Sequence, residues 1–381
     1  MPTLAISQIV KNEAHVIERM LNSVKSIIDC GVFVDTGSTD NTIEVIKKWG
    51  ESNNIPMHVY ERPFDNFENS RNYAMEMVKG KADYAFWLDA DEVLEIQPNF
   101  SKANLNKDLY MFNTFIGAMK YTRNECWNTK KPFKWYGPVH EFIVCDDRNI
   151  TSGLMEGLAV NVFMDGGSWK SNIADKYKKH AAILEDCIDN KDRNPRWIFY
   201  TAQSYHDSAA LDNKDENQER LRRALKYYRE RVTRTDGYEE ERFYSQYRIG
   251  AVMRNLEMPW QDAHAELLKA YAMDPLRAEP IKAIADYYLM IGEWNLAYLY
   301  TKFLKVNFHN KNPYPTRLLF VDESLYVWKI LEAHSAACFY TNRKEEAKAN
   351  FMEMVEVQKK YPQYFTPEDV QKINSNAQFF R

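Results

Sequence analysis

The sequence predicts an α/β domain of strands alternating with helices, followed by an all-α domain of helical repeats. Three observations predict it. Apolar runs of strand length alternate with amphipathic helical patterns up to about residue 100, and strand patterns vanish from about Ile173 onward. In the second half, residue types recur at an offset of 34: Trp260 with Trp294, Ala263 with Ala297, and Ala251 with Ala285. A chain of 381 residues exceeds the usual size of one hydrophobic core, so two domains are expected, 1–170 and 171–381.

Residues 4–10 form an apolar run expected to be a buried strand, after which Val16, Met20, Val24, Ile27 and Ile28 recur at helical spacing. Val32-Phe33-Val34 predicts the next strand, and Ile43, Ile46 and Trp49 the next helix. Residues 57–60 (strand), 69–78 (helix) and 84–88 (strand) continue the series. Such alternation implies βαβ units and a mainly parallel sheet, which binds ligands beyond the carboxyl ends of its strands.

Thirty-four residues is the period of the tetratricopeptide (TPR) helix-turn-helix repeat. Further units are expected around Ala202, Tyr205, Ala224 and Tyr228, and around Ala336, Ala337, Tyr340 and Ala347, the latter after an irregular insertion at residues 310–317. Alanine and tryptophan on buried helix faces would also produce part of this pattern without a repeat.

Composition narrows the function classes. The net charge of -4 comes from 50 basic and 54 acidic residues intermixed, which leaves no polycationic field for nucleic acid. Five cysteines, an odd number without CxxC spacing, fit a reducing compartment. Nowhere do 18 apolar residues run together, so a cytoplasmic protein without a membrane span is expected.

The chemistry concentrates at Phe86-Trp87-Leu88-Asp89-Ala90-Asp91-Glu92, an apolar strand ending in carboxylates one residue apart. Carboxylates gathered at the end of a buried strand cost stability unless a cation or hydrogen bonds compensate. Oxygen ligands favour Mg²⁺ or Mn²⁺; the alternative is that Asp89 and Asp91 cap the following segment. A second acidic turn, Val34-Asp35-Thr36-Gly37-Ser38-Thr39-Asp40-Asn41, follows another strand at the same sheet edge. Asp35 reads chiefly as a ligand contact and Asp40 chiefly as a helix cap.

Four segments stand in the order and spacing of family 2 glycosyltransferases: Ile9-Val10-Lys11-Asn12-Glu13, Val34 to Asp40, Phe67-Glu68-Asn69-Ser70-Arg71-Asn72, and Leu88-Asp89-Ala90-Asp91-Glu92. The chain resembles that family, and Gly137-Pro138-Val139-His140-Glu141 resembles a branch that carries C-terminal TPR-like helices. That branch includes S-glycosyltransferases of bacteriocin peptides and enzymes of surface-polysaccharide assembly. The resemblance implies a GT-A catalytic domain, Mn²⁺ or Mg²⁺ as cofactor, a nucleotide-sugar donor, most readily a UDP-sugar, and a glycan, lipid or peptide acceptor. It further implies that the backbone near Val10 and the side chains of Asn12, Glu13 and Asp35 hold base and ribose, that Ser38 belongs to the donor-binding set, and that Arg71 sits near the base or diphosphate. By the same resemblance Asp89 lies near ribose and metal, and Asp91 on the metal. For Arg71 a solvated surface position is the alternative.

Inversion at the anomeric centre requires a base, for which Glu141 is expected. His140, facing the other way on an extended backbone, is expected on the diphosphate or metal, or in a structural role. Relatives place a histidine in a His-x-Gly segment where this chain has Val162-Phe163-Met164-Asp165-Gly166-Gly167, so Asp165 is expected as third metal ligand if it aligns there. The aromatic and basic stretch from Tyr121 to Tyr136, with Arg123, Trp127, Lys130, Lys131, Lys134 and Trp135, is expected at the acceptor or in domain packing. The repeats are left with acceptor capture, dimerisation or both. Two other classes compete: a TPR-type interaction protein that binds nucleotide-sugar without turnover, and a nucleotidyltransferase. The second lacks a Gly-rich basic loop after the first strand.

Overall fold

The computed structural model describes residues 1–117, 119–167, 172–209, 214–310 and 319–380. The chain divides into two compact units, Met1–Ile116 with Tyr121–Leu184, and Gly117–Lys120 with Glu185–Arg381.

The first unit is built on strands β1 (Leu4–Val10), β2 (Cys30–Asp35), β3 (Met57–Glu61), β4 (Tyr84–Phe86), β5 (Glu92–Ile96), β6 (Leu109–Ile116), β7 (Met119–Asn128) and β10 (Ser152–Val162), in the sheet order β3-β2-β1-β4-β7-β6-β10-β5. Strands β3, β2, β1 and β4 run parallel; β7 runs antiparallel to β4, and β5 antiparallel to β10. A separate hairpin joins β8 (Phe133–Tyr136) to β9 (Phe142–Cys145). The GT-A-like α/β architecture expected from the sequence is present.

Side-chain alternation explains the layers. Leu4, Ile6, Val10 and Phe33 face helices α1 (Ile17–Val24) and α2 (Thr42–Asn53) through Ile17, Met20, Leu21, Val24, Ile46 and Trp49. Ala5, Val32, Val34 and Ala85 face the other way, onto Ala74, Met75 and Val78 of α3 (Phe67–Val78). Every residue of β2 is buried, as a parallel strand covered on both faces requires. Because β1, β2 and β4 are parallel neighbours, their following loops emerge at one edge and bring Asn12, Asp35 and Asp89 towards a common site.

The second unit contains α5 (Pro195–Ala209), α6 (Lys214–Thr233), α7 (Glu239–Asn255), α8 (Trp260–Met273), α9 (Glu279–Ile291), α10 (Trp294–Asn307), α11 (Ile330–Tyr340), α12 (Lys344–Lys360) and α13 (Pro367–Asn376). It is preceded by α4 (Ile173–Asn190), within which the division between the units falls. The 34-residue offset is structural: Trp260 and Trp294 each open the second helix of a pair. Ala263, Ala297 and Ala347 occupy the fourth position of α8, α10 and α12, and all are fully buried. The tryptophans stack on tyrosines of the helix that follows, Trp260 on Tyr287 at 3.6 Å and Trp294 on Tyr340 at 4.0 Å between ring centroids. Residues 311–318, which include most of the expected insertion, lie outside the described residues.

Small residues set how closely the paired helices approach. A Cβ on Gly250 of α7 would stand 2.5 Å from Leu267 Cγ and 3.2 Å from the Ala263 carbonyl oxygen of α8. Gly250→Ala should therefore destabilise the helical unit by ~1–3 kcal/mol, the usual cost of overpacking, despite alanine's better helix propensity. Urea unfolding followed by circular dichroism measures this; an unchanged midpoint would mean that α7 and α8 separate without cost.

Candidate functional site

The loop after β1 and the loop after β2 are locked together. Asn12, with φ of 58°, offers its Oδ1 to the Thr39 N–H at 2.7 Å and donates its own N–H to Ser38 Oγ at 3.0 Å. The Val10 carbonyl accepts the Thr36 N–H at 2.9 Å and the Thr36 hydroxyl at 3.2 Å. These contacts tie the Val10 carbonyl and the Asn12 and Ser38 side chains into one arrangement of the two loops. Asp35 differs. Its Oδ2 accepts the N–H groups of Gly37 and Ser38 at 3.0 and 2.9 Å, while Oδ1 is buried without a hydrogen-bond partner among the described residues. A buried oxygen left this way has unused capacity for a ligand donor. Asp40 accepts the Thr42 N–H at 3.0 Å at the start of α2, one residue before the N-cap position, which Asn41 occupies without a side-chain bond.

Beyond β4 the backbone turns tightly, with the Glu92 N–H on the Asp89 carbonyl at 3.0 Å. This turn leaves Asp89 43% exposed while Asp91 is only 7% exposed. Asp91 Oδ2 accepts the Gly166 N–H at 3.4 Å, and both carboxylate oxygens of Glu13 accept the Gly167 N–H at 3.0 and 3.1 Å. The two glycines permit this close approach, since a Cβ on Gly166 would lie 3.0 Å from Asp91 Cγ, and one on Gly167 3.1 Å from Glu13 Oε1. Burial, then the charge of Asp89, raises the pKa of Asp91. Burial raises that of Glu13 as well, with the charges of Asp91 and Asp89 adding to it. Negative charge is thus concentrated on oxygen atoms at this edge of the sheet.

Asp165 is engaged by an arginine of α1. Both of its oxygens are held by Arg19, at 2.7 and 2.5 Å, and this pairing lowers its pKa. The carboxylate packed with Asp91 is that of Glu13, which the sequence assigned to the nucleotide.

Arg71 is held within the site, which excludes the solvated surface alternative. Its guanidinium lies 4.0 Å from the Trp87 ring and 4.7 Å from the Trp135 ring, its Nε is 2.6 Å from Glu141 Oε1, and Nη2 is 3.6 Å from Asp89 Oδ1. Trp87 Nε1 donates to Asp89 Oδ1 at 2.9 Å. Arginine thus joins the acidic turn to Glu141, whose side chain is 7% exposed. His140, at φ of 53°, stands in left-handed and not extended backbone, and its ring meets His180 edge-to-face at 5.4 Å.

A buried triad that sequence reasoning missed lies behind the turn. Arg123 Nη2 is 2.8 Å from Glu92 Oε1, its Nε is 2.5 Å from Glu125 Oε1, and Glu92 Oε2 accepts the Asp89 N–H at 2.9 Å. Through Glu92, Arg123 supports the Asp89 turn. Trp127 and Trp135 are core residues of the first unit, and Lys130, Lys131 and Lys134 pair with Asp83, Asp147 and Asp146. The only sequence signals were the third acid of the Asp-Ala-Asp-Glu run and the alternation of Arg123 with Glu125.

In the second unit, His334, Cys338 and Glu346 bring ligand atoms within 4.8 Å of one another. They form a closed network: Glu346 already receives Lys302 Nζ at 2.5 Å, His334 Nε2 at 3.2 Å and the Tyr298 hydroxyl at 3.1 Å. Its charge is thus balanced without a metal.

The motif stretch now has its geometry. Residues 9–103 match the model of glycosyl transferase family 2. Over 241 residues the chain is 25% identical to the SPbeta prophage-derived glycosyltransferase SunS of Bacillus subtilis, which covers 60% of this chain and 54% of that protein. The chain thus spans about half the length of this relative. An uncharacterized glycosyltransferase of Rickettsia bellii is 35% identical over 107 residues, 27% of this chain and 34% of that protein. Among solved structures, Staphylococcus aureus TarS 1–349 in complex with UDP-GlcNAc aligns with a TM-score of 0.36 and 14% identity, covering 71% of this chain and 89% of that chain. The C-terminal part of a TPR repeat-containing protein from Cytophaga hutchinsonii aligns with a TM-score of 0.35 and 14% identity, over 48% of this chain and 60% of that one. No helix among the described residues is long and apolar enough to cross a membrane. The family 2 stretch contains Asp35, Arg71, Asp89 and Asp91, whereas Glu125, Glu141 and Gly166 lie beyond it.

The buried triad makes stability pH-dependent. Burial raises the pKa of Glu92 to about 7 and of Glu125 to about 8, from an ordinary 4.5, with Arg123 opposing the shift. A carboxyl raised on folding contributes stability at low pH that is lost as pH climbs through the raised value. The thermal midpoint should thus fall between about pH 5 and 8, and Glu125→Gln should flatten much of that decline. Scanning fluorimetry across this range decides it: parallel profiles for variant and wild type would show that Glu125 does not titrate there.

Proposed function

We propose that this chain is an inverting glycosyltransferase that moves a sugar from a nucleotide-sugar, foremost a UDP-sugar, to a glycan, lipid or peptide acceptor. The observation that carries this reading is the convergence of Glu13, Asp89 and Asp91 with the Arg71–Glu141 pair at one edge of the sheet. The match of residues 9–103 to glycosyl transferase family 2 supports it.

Asp35, with its unused buried oxygen, is suited to a donor group of the base or ribose. Asp89 and Asp91, with Glu13 beside them, would hold Mg²⁺ or Mn²⁺, which supplies neutralisation of the charge on the leaving diphosphate. Glu141 would take the acceptor's proton. The Arg71 ion pair aims its carboxylate. The rings of Trp87 and Trp135 fix the guanidinium and thereby fix Glu141. A nucleotide-sugar-binding module without turnover is the second reading. It is favoured by the engagement of Glu141 with Arg71 and of Asp165 with Arg19.

Two variants separate these readings. Asp91→Asn should leave the fold intact and remove the Mn²⁺ dependence of UDP binding, measured by calorimetry with and without the ion; equal metal dependence in variant and wild type would refute the ligand role. Glu141→Gln should retain donor binding and lose transfer by roughly two to four orders of magnitude, the usual contribution of a positioned base. Diphosphate release from a panel of UDP- and GDP-sugars reads this. Near-normal turnover would remove Glu141 from the chemistry, and binding without release in the wild type would favour the module.

A further inference from the structure

In the second unit, the adjoining helices α5, α6 and α7 carry buried polar atoms that have no hydrogen-bond partner among the described residues. These are Gln203 Oε1 and His206 Nδ1 of α5, the Tyr228 hydroxyl of α6 and Arg248 Nε of α7. Such atoms are rare in folded proteins and cost free energy unless a ligand or water satisfies them. Here they stand together. The His206 and Tyr228 rings meet edge-to-face at 6.2 Å, and Arg248 Nη2 lies 3.3 Å from Oδ1 of Asp207, the residue after His206 and one helical turn from Gln203. Tyr228 is fully buried and His206 is 7% exposed, whereas Gln203, Asp207, Tyr244 and Arg248 are half-buried. A buried polar floor thus lies beneath a rim that solvent reaches.

The chemistry of these groups narrows the ligand. Asp207 offsets the charge of Arg248, and burial followed by the Arg248 charge holds the His206 pKa well below its ordinary 6.5. The cluster is therefore neutral as a whole and favours neither an anion nor a cation. Asn255 Nδ2 lies 3.4 Å from His206 Nε2, and an amide nitrogen donates, so the neutral imidazole carries its proton on Nδ1. The unmet groups are then the N–H donors of His206 and Arg248, the carbonyl acceptor of Gln203 and a tyrosine hydroxyl that does both. Sugar hydroxyls also donate and accept. Tyr244 adds a half-buried ring 5.7 Å from the Arg248 guanidinium, and an aromatic face is electron-rich enough to receive the C–H groups of a sugar. We propose that α5, α6 and α7 form a binding subsite for a neutral sugar residue, with Gln203, His206, Tyr228 and Arg248 bonding its hydroxyls and Tyr244 meeting its C–H face. The subsite singles out a glycan among the acceptors of the proposed function and rests on that reading for its purpose.

Saturation-transfer NMR on the full chain tests it, with neutral trisaccharides of glucose, galactose and N-acetylglucosamine as probes and glucuronate and an uncharged peptide for comparison. Wild type should take up signal from a neutral trisaccharide and not from glucuronate. Tyr228→Phe should weaken that sugar about fivefold, the usual loss of one neutral hydrogen bond, while its unfolding midpoint without sugar stays the same or rises. Tyr244→Leu should weaken the sugar as well, and Tyr244→Phe should retain most of the affinity. UDP affinity with Mn²⁺ should be equal in all variants. Absence of any sugar signal from wild type would overturn the subsite, with ordered water alone meeting these atoms. Equal sugar affinity in Tyr228→Phe would overturn it too, and in both cases the donor reading would stand. Peptide binding that depends on Tyr228, in place of sugar binding, would overturn the saccharide assignment. Sugar binding weakened by Tyr228→Phe, in a wild type that releases no diphosphate from any UDP- or GDP-sugar, would support the subsite and overturn the transferase reading.

Discussion

Negative charge gathered at the carboxyl ends of buried strands constrains the first unit more than any other feature. Asp35, Asp91, Glu92 and Glu125 are each less than 8% exposed, and Glu13 and Asp89 adjoin them. Isolated buried carboxylates would be expensive, and here each is answered in a different way. Asp35 takes backbone N–H groups, Glu92 and Glu125 share Arg123, Asp89 adjoins Arg71, and Asp91 with Glu13 rests on the N–H groups of two glycines. Backbone amides bring no full positive charge.

Two arginines divide the remaining work. Arg123 is an internal counter-ion: by neutralising Glu92, it permits the Glu92 carboxylate to hold the Asp89 amide and fix the turn. Arg71 links the acidic turn to Glu141 across two tryptophan faces. A lysine would supply the charge at Arg71 without the planar group that can stack on an indole while bonding through its edge. The geometry thus depends on the guanidinium itself.

Most of the fold was legible because apolar periodicity and turn position are local properties. The strand at residues 4–10, the helices after it and the acidic ends at Asp35 and Asp89 all follow from spacing. The helical offset of 34 was legible for a physical reason as well: Trp260 and Trp294 must begin corresponding helices to reach a tyrosine on the next. The site was less legible where partners are distant in sequence. Arg123 meets Glu92 across 31 residues and Asp165 meets Arg19 across 146, and neither pairing leaves a spacing that one segment reveals.

The departure at residues 164–166 follows from the same charge balance. Glu13 already stands with Asp91 and Asp89, so an unpaired Asp165 carboxylate would add repulsion where burial has already raised the proton affinity of Asp91 and Glu13. Arg19 removes that difficulty by engaging both Asp165 oxygens, and the Phe163 ring at 4.5 Å supports the guanidinium from the side. His15 Nε2 lies 2.9 Å from the Asp165 carbonyl and ties the same loop to the segment after β1. Asp165 therefore reads as an anchor that fixes the loop against α1. That anchor sets Gly166 and Gly167, one and two residues further on, against Asp91 and Glu13. A neutral imidazole at this place would not pair with Arg19 in the same bidentate way, so the acidic residue and the glycines after it form one arrangement.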